Sequence, residues 1–287
     1  MPTWSHASPN PFVEKYGSLG DAEWEAKLIA AATQPEQDGV SFPRTPPAEL
    51  QQRIHGHDGE TALREAIRFY RAVKGVLEAE HGSVQTSTRL LDFGSGWGRI
   101  VRPFLARVDL DNIFGYEPNP VFCHTARMLN PYVAFVNGGY APPTVFADNS
   151  FDLIVSWSVF THLPLDLTKS WLAEFARIMR PGAFLFITAW GDRFIRTLKD
   201  AASQRAAGKE VTWFQGRVLD SIADLEALAS RVAEGGIEFV PSKERKDWGN
   251  LFLSPLAASK LAVGGLEQVA YDVDLVGQDL VVFRSAK

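Results

Sequence analysis

The segment Leu90-Leu91-Asp92-Phe93-Gly94-Ser95-Gly96-Trp97-Gly98-Arg99 leaves few choices for the fold around it. An apolar run that ends in an acid and passes straight into glycines at alternate positions reads as a buried strand turning sharply into a helix. Glycine lets the backbone take positive φ and lets a ligand approach the main chain, so the spacing predicts a loop for a nucleotide-like cofactor. The plain alternative is a glycine turn demanded only by packing. A strand before the loop and a helix predicted over 98–107 weigh against it.

From 89 to 188 short apolar runs alternate with amphipathic helices, the pattern of βαβ units around a parallel sheet. Strands are expected at 89–93, 112–117, 133–136, 151–157 and 183–188. Asn119 is placed to cap a helix with Pro120 in its first turn. The helix before strand five carries Trp171, Leu172, Phe175 and Met179 and is expected to stop at Pro181-Gly182. Ahead of this region lies a helical preface. Asp21 starts a helix with Trp24, Leu28 and Ile29, prolines at 43, 46 and 47 break it, and a long helix follows over 61–81 with Gly82 to end it. About 75 residues separate Thr188 from the next convincing strand, far more than an ordinary connection. In that stretch Ser221 and Asp224 start one helix, Ser254-Pro255 a shorter one. Runs at 266–275 and 279–284, parted by Val276-Gly277-Gln278, read as a closing hairpin.

The fold class expected is therefore α/β, a Rossmann-like doubly wound sheet of about seven strands. It carries a closing antiparallel hairpin, an N-terminal helical extension and a helical insertion between strands five and six. Residues 1–85 form the extension, which could serve as a lid; residues 86–287 form the main domain, with 190–262 as a cap over substrate.

Composition limits the partners. A formal charge of −5 over 287 residues, with no lysine or arginine cluster interleaved with aromatics, argues against nucleic acid. One cysteine, Cys123, makes neither an internal disulfide nor a cysteine metal cage, which fits a reducing compartment. Met1-Pro2-Thr3-Trp4-Ser5-His6 lacks the basic-then-apolar pattern of a signal peptide and no run is long enough to span a bilayer, so the expected location is cytoplasmic, without membrane association. Monomer and homodimer both stay open.

Four pieces fall at the C-terminal ends of successive predicted strands, the edge where open α/β sheets bind ligands. The first is the glycine loop, whose amides and following helix N-terminus suit a carboxylate such as that of a methionine moiety. Glu117 is the second, about 20 residues on and at a strand end, where an acid accepts both ribose hydroxyl protons. The third, Asn137-Gly138-Gly139-Tyr140, could flank an adenine ring. Ser156-Trp157-Ser158-Val159-Phe160-Thr161-His162-Leu163 is the fourth. Arg99 stands where the dinucleotide fingerprint wants its last glycine, which favours S-adenosylmethionine over a dinucleotide.

These residues resemble the class I S-adenosylmethionine-dependent methyltransferases of the small-molecule type. Leu91 to Gly98 is similar to the family's glycine-rich first motif, and Gly115-Tyr116-Glu117-Pro118-Asn119 to its acid after strand two. Ala147 to Ile154 resembles its approach to strand four, Arg177-Ile178-Met179-Arg180-Pro181-Gly182 its turn before strand five, and Gly277 to Val282 its last hairpin. The resemblance implies a cofactor site of Asp92, Gly94, Ser95, Gly96, Trp97, Glu117, Pro118, Asn119, Tyr140, Ser156 and Trp157, with S-adenosyl-L-homocysteine as product. It departs from the family after strand three, where Gly138-Gly139-Tyr140 offers no acid or amide for the adenine amino group. Nor does Ser156-Trp157-Ser158 match the Asn- or Asp-Pro-Pro-Tyr motif of base amino-group methylation.

A sulfonium donor is already activated, so the protein's task is alignment and, for a hydroxyl acceptor, removal of a proton. The expected reaction is O-methylation of a small molecule by in-line displacement. His162 is the candidate base because imidazole titrates near neutrality; the plain alternative is a histidine that only bonds a neighbouring loop. His55 and His57 read as a surface turn unless the preface folds over the site. No carboxylate follows strand four, so no metal is expected. In the insertion Trp190, Phe194, Trp213, Phe214, Trp248 and Phe252, interleaved with Arg193, Arg196, Arg217, Arg245 and Lys246, could line an acceptor pocket or simply cover the sheet. Two other readings remain: a binding module or partner subunit that keeps the cofactor without catalysis, and a nicotinamide-dependent oxidoreductase, which Arg99 disfavours.

Overall fold

The computed structural model describes residues 10–80, 82–275 and 277–287. Met1 to His6, the predicted last helical residue His81 and Val276 of the hairpin turn lie outside them. Internal contacts divide the chain into two units, Met1–Val155 with Ile178–Arg180, and Ser156–Arg177 with Pro181–Lys287.

In the first unit come helices α1 (Pro11–Tyr16), α2 (Asp21–Ala30), α3 (Ala48–His55) and α4 (Gly59–Ala79), then β1 (Leu90–Phe93), β2 (Ile113–Glu117), α5 (Pro120–Leu129), β3 (Ala134–Asn137) and β4 (Phe151–Ser156), whose last residue opens the second unit. The second holds α6 (Leu165–Ile178, its last residue counted with the first unit), α7 (Asp192–Ala206), α8 (Trp213–Ser221), α9 (Leu225–Ala233), α10 (Pro255–Ala258) and the hairpin β6 (Leu266–Leu275) and β7 (Gln278–Ser285). Strand β5 runs Met179–Ala189. The seven-stranded sheet has the order β6-β7-β5-β4-β1-β2-β3. β1 pairs parallel with both β2 and β4, and β2 with β3, so their C-terminal ends share one edge. Outward from β1 the chain first runs one way and then the other, which makes the end of β1 a switch point where ligands bind. β1 is buried along its whole length, as a central strand covered on both faces must be. β7 runs antiparallel to both β6 and β5, the closing hairpin expected from the sequence.

Three local expectations need correction. Gly20, not Asp21, caps α2, its N–H donating to Glu23 Oε2 at 3.2 Å. The helix before strand five ends at Ile178, so Met179, Pro181 and Gly182 belong to β5; a proline is tolerated at the start of a strand, where a ladder donor is not required of it. Ser221 closes α8, and Asp224 alone caps α9 by accepting from Ala227 N at 2.9 Å.

The fourth correction has the largest consequence. No α-helix forms over 98–107; the segment is a chain of turns around a short 3₁₀ helix, Arg102–Phe104. Pro103 has no N–H to give to the carbonyl four residues back, and its ring crowds that carbonyl. The chain tightens instead to Phe104 N to Val101 O at 3.1 Å and Leu105 N to Arg102 O at 3.2 Å. Carbonyls left over by this geometry are met from the preface. Trp24 Nε1 donates to Pro103 O at 2.9 Å, and Asn10 Nδ2 to Leu105 O at 3.0 Å and Val108 O at 2.9 Å. The segment's arginines return bonds to preface carbonyls: Arg99 to Ala62, Arg102 to Pro43 and Arg44, Arg107 to Tyr16, Gly17 and Leu19. Residues 10–79 are thus joined to the segment behind the glycine loop by buried polar bonds as well as by the apolar faces of α2 and α4.

Trp24→Phe keeps the apolar ring and deletes only the donor, leaving the buried Pro103 carbonyl unpaired. We expect about 1–3 kcal/mol of destabilisation, read as a lower urea midpoint with unchanged slope. A loss below about 0.5 kcal/mol, the scale of an ordinary surface substitution, would show the bond to be incidental.

Candidate functional site

In the first unit the site grows from the end of β1. Gly94, Gly96 and Gly98 all take positive φ, 72°, 55° and 82°, a region open to glycine at little cost. Gly98 has a second reason: a Cβ there would stand 2.7 Å from Asn130 Nδ2 and from Phe135 Cζ. The loop is held by its own neighbours. Gly94 N and Ser95 N both donate to Tyr116 O, at 2.8 and 3.1 Å, and Gly98 N donates to Ser95 O at 2.8 Å. Gly96 N donates to Glu117 Oε2 at 2.8 Å. Four amides that the sequence suggested as donors to a ligand carboxylate are therefore already engaged, and Ser95 Oγ lies over Gly115 in β2.

Glu117, the last residue of β2, is 6% exposed. Its other oxygen accepts from Asn119 N at 2.8 Å, so the carboxylate is clamped between the loop and the start of α5. Each oxygen keeps a lone pair for a further donor. Burial pushes its pKa up, and the two amide bonds pull against that rise. Asn119 spends its side chain on capping α5, accepting from Val121 N and Phe122 N, while Pro118 is half-buried between them. Asp92 is 1% exposed and neither of its oxygens has a hydrogen-bond partner. Burial, with the nearby Glu117 charge, raises its pKa to about 8. A buried acid left without a donor is a costly arrangement unless a ligand supplies one.

Trp97, between two of the loop glycines, is fixed from several sides. Asn130 Nδ2 donates to its carbonyl at 2.8 Å, and the Arg102 guanidinium stands 4.6 Å over its ring. Its indole N–H donates to His55 Nε2 at 2.9 Å. His55 thus leaves the surface turn expected for it and sits against the glycine loop. His57 remains exposed beside Glu65, at 3.6 Å. After β3, Tyr116 Oη donates to Gly139 O at 2.9 Å and Asn137 Nδ2 to Glu117 O at 2.8 Å, while Tyr140 is 59% exposed.

The second unit holds the other half of the predicted residues. Ser156 and Trp157 are both buried. Ser158 follows at positive φ, donating its N–H to Thr188 Oγ1 at 2.7 Å and accepting from Gln278 Nε2 at 3.0 Å. Thr161 O and His162 O accept from Leu251 N at 2.8 Å and Gly249 N at 3.1 Å. The strand that makes these bonds, Gly249–Leu253, pairs antiparallel with Ile237–Pro241 in a hairpin the sequence reading missed. His162 Nδ1 lies 2.9 Å from Gly249 O, and its ring stacks on Trp248 with centroids 4.7 Å apart and 15° between planes. A carbonyl can only accept, so Nδ1 carries the proton and Nε2 the lone pair. Burial lowers the His162 pKa, against the opposing pull of the Gly249 carbonyl.

The aromatic insertion divides by burial. Trp190, Phe194 and Phe252 belong to a core with Ile195, Leu198, Val218, Leu228 and Val232, and Phe214 packs against it. Trp213 is exposed under Arg217, Arg217 pairs with Glu244 and Arg245 with Asp247; of these aromatics Trp248 stacks on the candidate base and Trp190 meets it edge-on, with centroids 6.4 Å apart. Gln278 and Thr188, which bond Ser158, enter the sequence reading only as part of the last hairpin and as a strand end, not as site residues. Among the described residues no three His, Cys, Asp or Glu are grouped to hold a metal ion, and no helix is long and apolar enough to cross a membrane.

A family model described as a methyltransferase domain matches residues 91–187. No curated protein sequence gives a significant match. Among solved structures, the 1,6-didemethyltoxoflavin-N1-methyltransferase of Burkholderia thailandensis aligns with a TM-score of 0.50 at 14% identity, over 93% of this chain and 91% of that one. Magnesium protoporphyrin IX methyltransferase from Synechocystis PCC 6803 aligns with a TM-score of 0.50 at 10% identity, over 82% of this chain and 93% of that one. At such identities the likeness is one of fold, and it agrees with the sheet order found here. Glycine loop, strand-end acid and sheet order agree with that match: residues 91–187 carry a methyltransferase domain, on the fold shared by these S-adenosylmethionine-dependent methyltransferases.

Proposed function

We propose that this enzyme methylates a hydroxyl of a small molecule, with His162 as the general base. The observation that carries the reading is the bond between His162 Nδ1 and the Gly249 carbonyl, which leaves Nε2 as the proton acceptor on a ring held by Trp248. Burial keeps that ring neutral at physiological pH, the state a base requires.

The residues present fit the cofactor. Glu117, anchored by two amides, has lone pairs for the two ribose hydroxyls. Asp92, buried without a donor, suits the ammonium of the methionine moiety. When bound, S-adenosylmethionine supplies a methyl group already activated by its sulfonium charge. What remains for the protein is to hold the acceptor in line and take up its proton. His162 Nε2 does the second, and the Gly249 carbonyl stabilises the imidazolium that results, since it faces the Nδ1 proton. A net charge of −5 supports a small molecule over nucleic acid as acceptor.

Two outcomes follow. With a pKa near 8, Asp92 is mostly protonated at pH 7, and an ammonium placed against it favours the carboxylate. Binding of S-adenosylhomocysteine should therefore release most of one proton, so the calorimetric enthalpy at pH 7 varies with the ionisation enthalpy of the buffer. In Asp92→Asn that slope vanishes; a flat wild-type plot contradicts the role.

His162→Ala should cut turnover by about 10²–10⁴-fold while leaving the affinity for S-adenosylhomocysteine within about twofold. Because the folded pKa is lowered, activity should stay level from pH 8 down to the ordinary imidazole range near 6.5 and fall only below it. The acceptors to screen are phenols and sugar hydroxyls, scored by S-adenosylhomocysteine formed; methylation of amines alone, or an unchanged rate in the alanine variant, removes the proposal.

A further inference from the structure

Resting on the cofactor reading above, we propose that His55 is a binding residue for the amino-acid end of the cofactor, donating its Nδ1–H to the α-carboxylate. This makes α3, in the preface, part of the cofactor site.

The protonation of His55 follows from its partner. Trp97 Nε1 can only donate, so His55 Nε2 accepts and the single proton of the neutral ring sits on Nδ1. That N–H is shielded from solvent and has no acceptor in the protein. A buried donor without an acceptor is rare enough to need a reason. The ring is also kept neutral: burial, with the charges of Arg99 and His57, depresses its pKa to about 3. It therefore offers a neutral N–H rather than a mobile charge.

Position supplies the second strand of support. α3 ends at His55 because Gly56 takes the left-handed conformation and returns its N–H to Gln52 O at 2.8 Å. Ile54 Cγ2 is then the nearest atom to a Cβ built on Gly96, at 3.7 Å, so the last turn of α3 lies against the middle of the glycine loop. Chemistry supplies the third. The amides of Gly94, Ser95, Gly96 and Gly98 are all bonded within the protein, so the loop cannot offer them to a carboxylate without breaking itself. An α-amino acid group needs an acceptor for its ammonium and a donor for its carboxylate. The orphaned groups of this unit include one of each, the Asp92 oxygens and His55 Nδ1–H.

The test uses the full chain and two ligands, S-adenosylhomocysteine and 5′-methylthioadenosine, which share the adenosine thioether and differ in the amino-acid group. By calorimetry, His55→Ala should weaken S-adenosylhomocysteine about tenfold to a hundredfold, the loss expected of a hydrogen bond to a charged group. The same variant should hold 5′-methylthioadenosine within about twofold of wild type. His55→Asn, whose amide N–H can stand near Nδ1, should recover most of the loss. Nitrogen NMR of the wild-type imidazole, which needs no variant to fold, should show the His55 Nδ1–H shift on adding S-adenosylhomocysteine and not on adding 5′-methylthioadenosine. Equal weakening of both ligands, no weakening of either, or an unmoved Nδ1 signal overturns the inference while leaving the cofactor reading intact. Wild-type protein that binds neither ligand overturns the cofactor reading and this inference with it.

Discussion

Pro103 sets the terms for the first unit. A helix directly behind the glycine loop would have satisfied its own backbone, but a proline at this place removes one donor and crowds one carbonyl. The carbonyls of Pro103, Leu105 and Val108 then need partners from elsewhere, and Trp24 and Asn10 provide them. Arg102 shows the reverse dependence. Burial lowers its pKa to about 9, so it stays charged at neutral pH, and it relies on the Pro43 and Arg44 carbonyls and the Trp97 ring for compensation. Neither the preface nor the segment around Pro103 completes its polar bonding without the other.

The glycine loop inherits that dependence. Trp97 carries Arg102 on one side and His55 at its indole nitrogen, and each of these two residues is bonded to, or part of, the preface. The glycines meanwhile fold the loop onto Tyr116 and Glu117, which fixes the acid proposed to receive the ribose. Such a loop is preorganised: the amides of Gly94, Ser95, Gly96 and Gly98 are spent on its own shape, while the side chains of Asp92 and His55 keep polar atoms without a partner.

Much of this was legible from residue order alone. The strands of the sheet, its closing hairpin and the acid at Glu117 were readable because buried strands between glycine turns have a period and a length that few other structures share. Asn119 followed from its place before Pro120. What escaped was set by contacts distant in sequence. A helix over 98–107 runs through Pro103, and a proline inside such a run is itself a warning. The hairpin of Ile237–Pro241 and Gly249–Leu253 is short, and its strands are held by Thr161, His162 and Trp190, which lie tens of residues away. His55 looked like part of a surface turn; its bonding partner, the indole of Trp97, stands 42 positions on. The aromatics of the insertion were equally compatible with a pocket and a core, and packing of Trp190, Phe194 and Phe252 together decided for the core.

The preface and the glycine loop, on this proposal, form a single cofactor-binding piece. Amide hydrogen exchange of the full chain, with and without S-adenosylhomocysteine, tests it most directly. Slower exchange is predicted in peptides over 48–58 together with those over 94–99 and 117–119. Protection confined to the last two regions, with 48–58 unchanged, would contradict it.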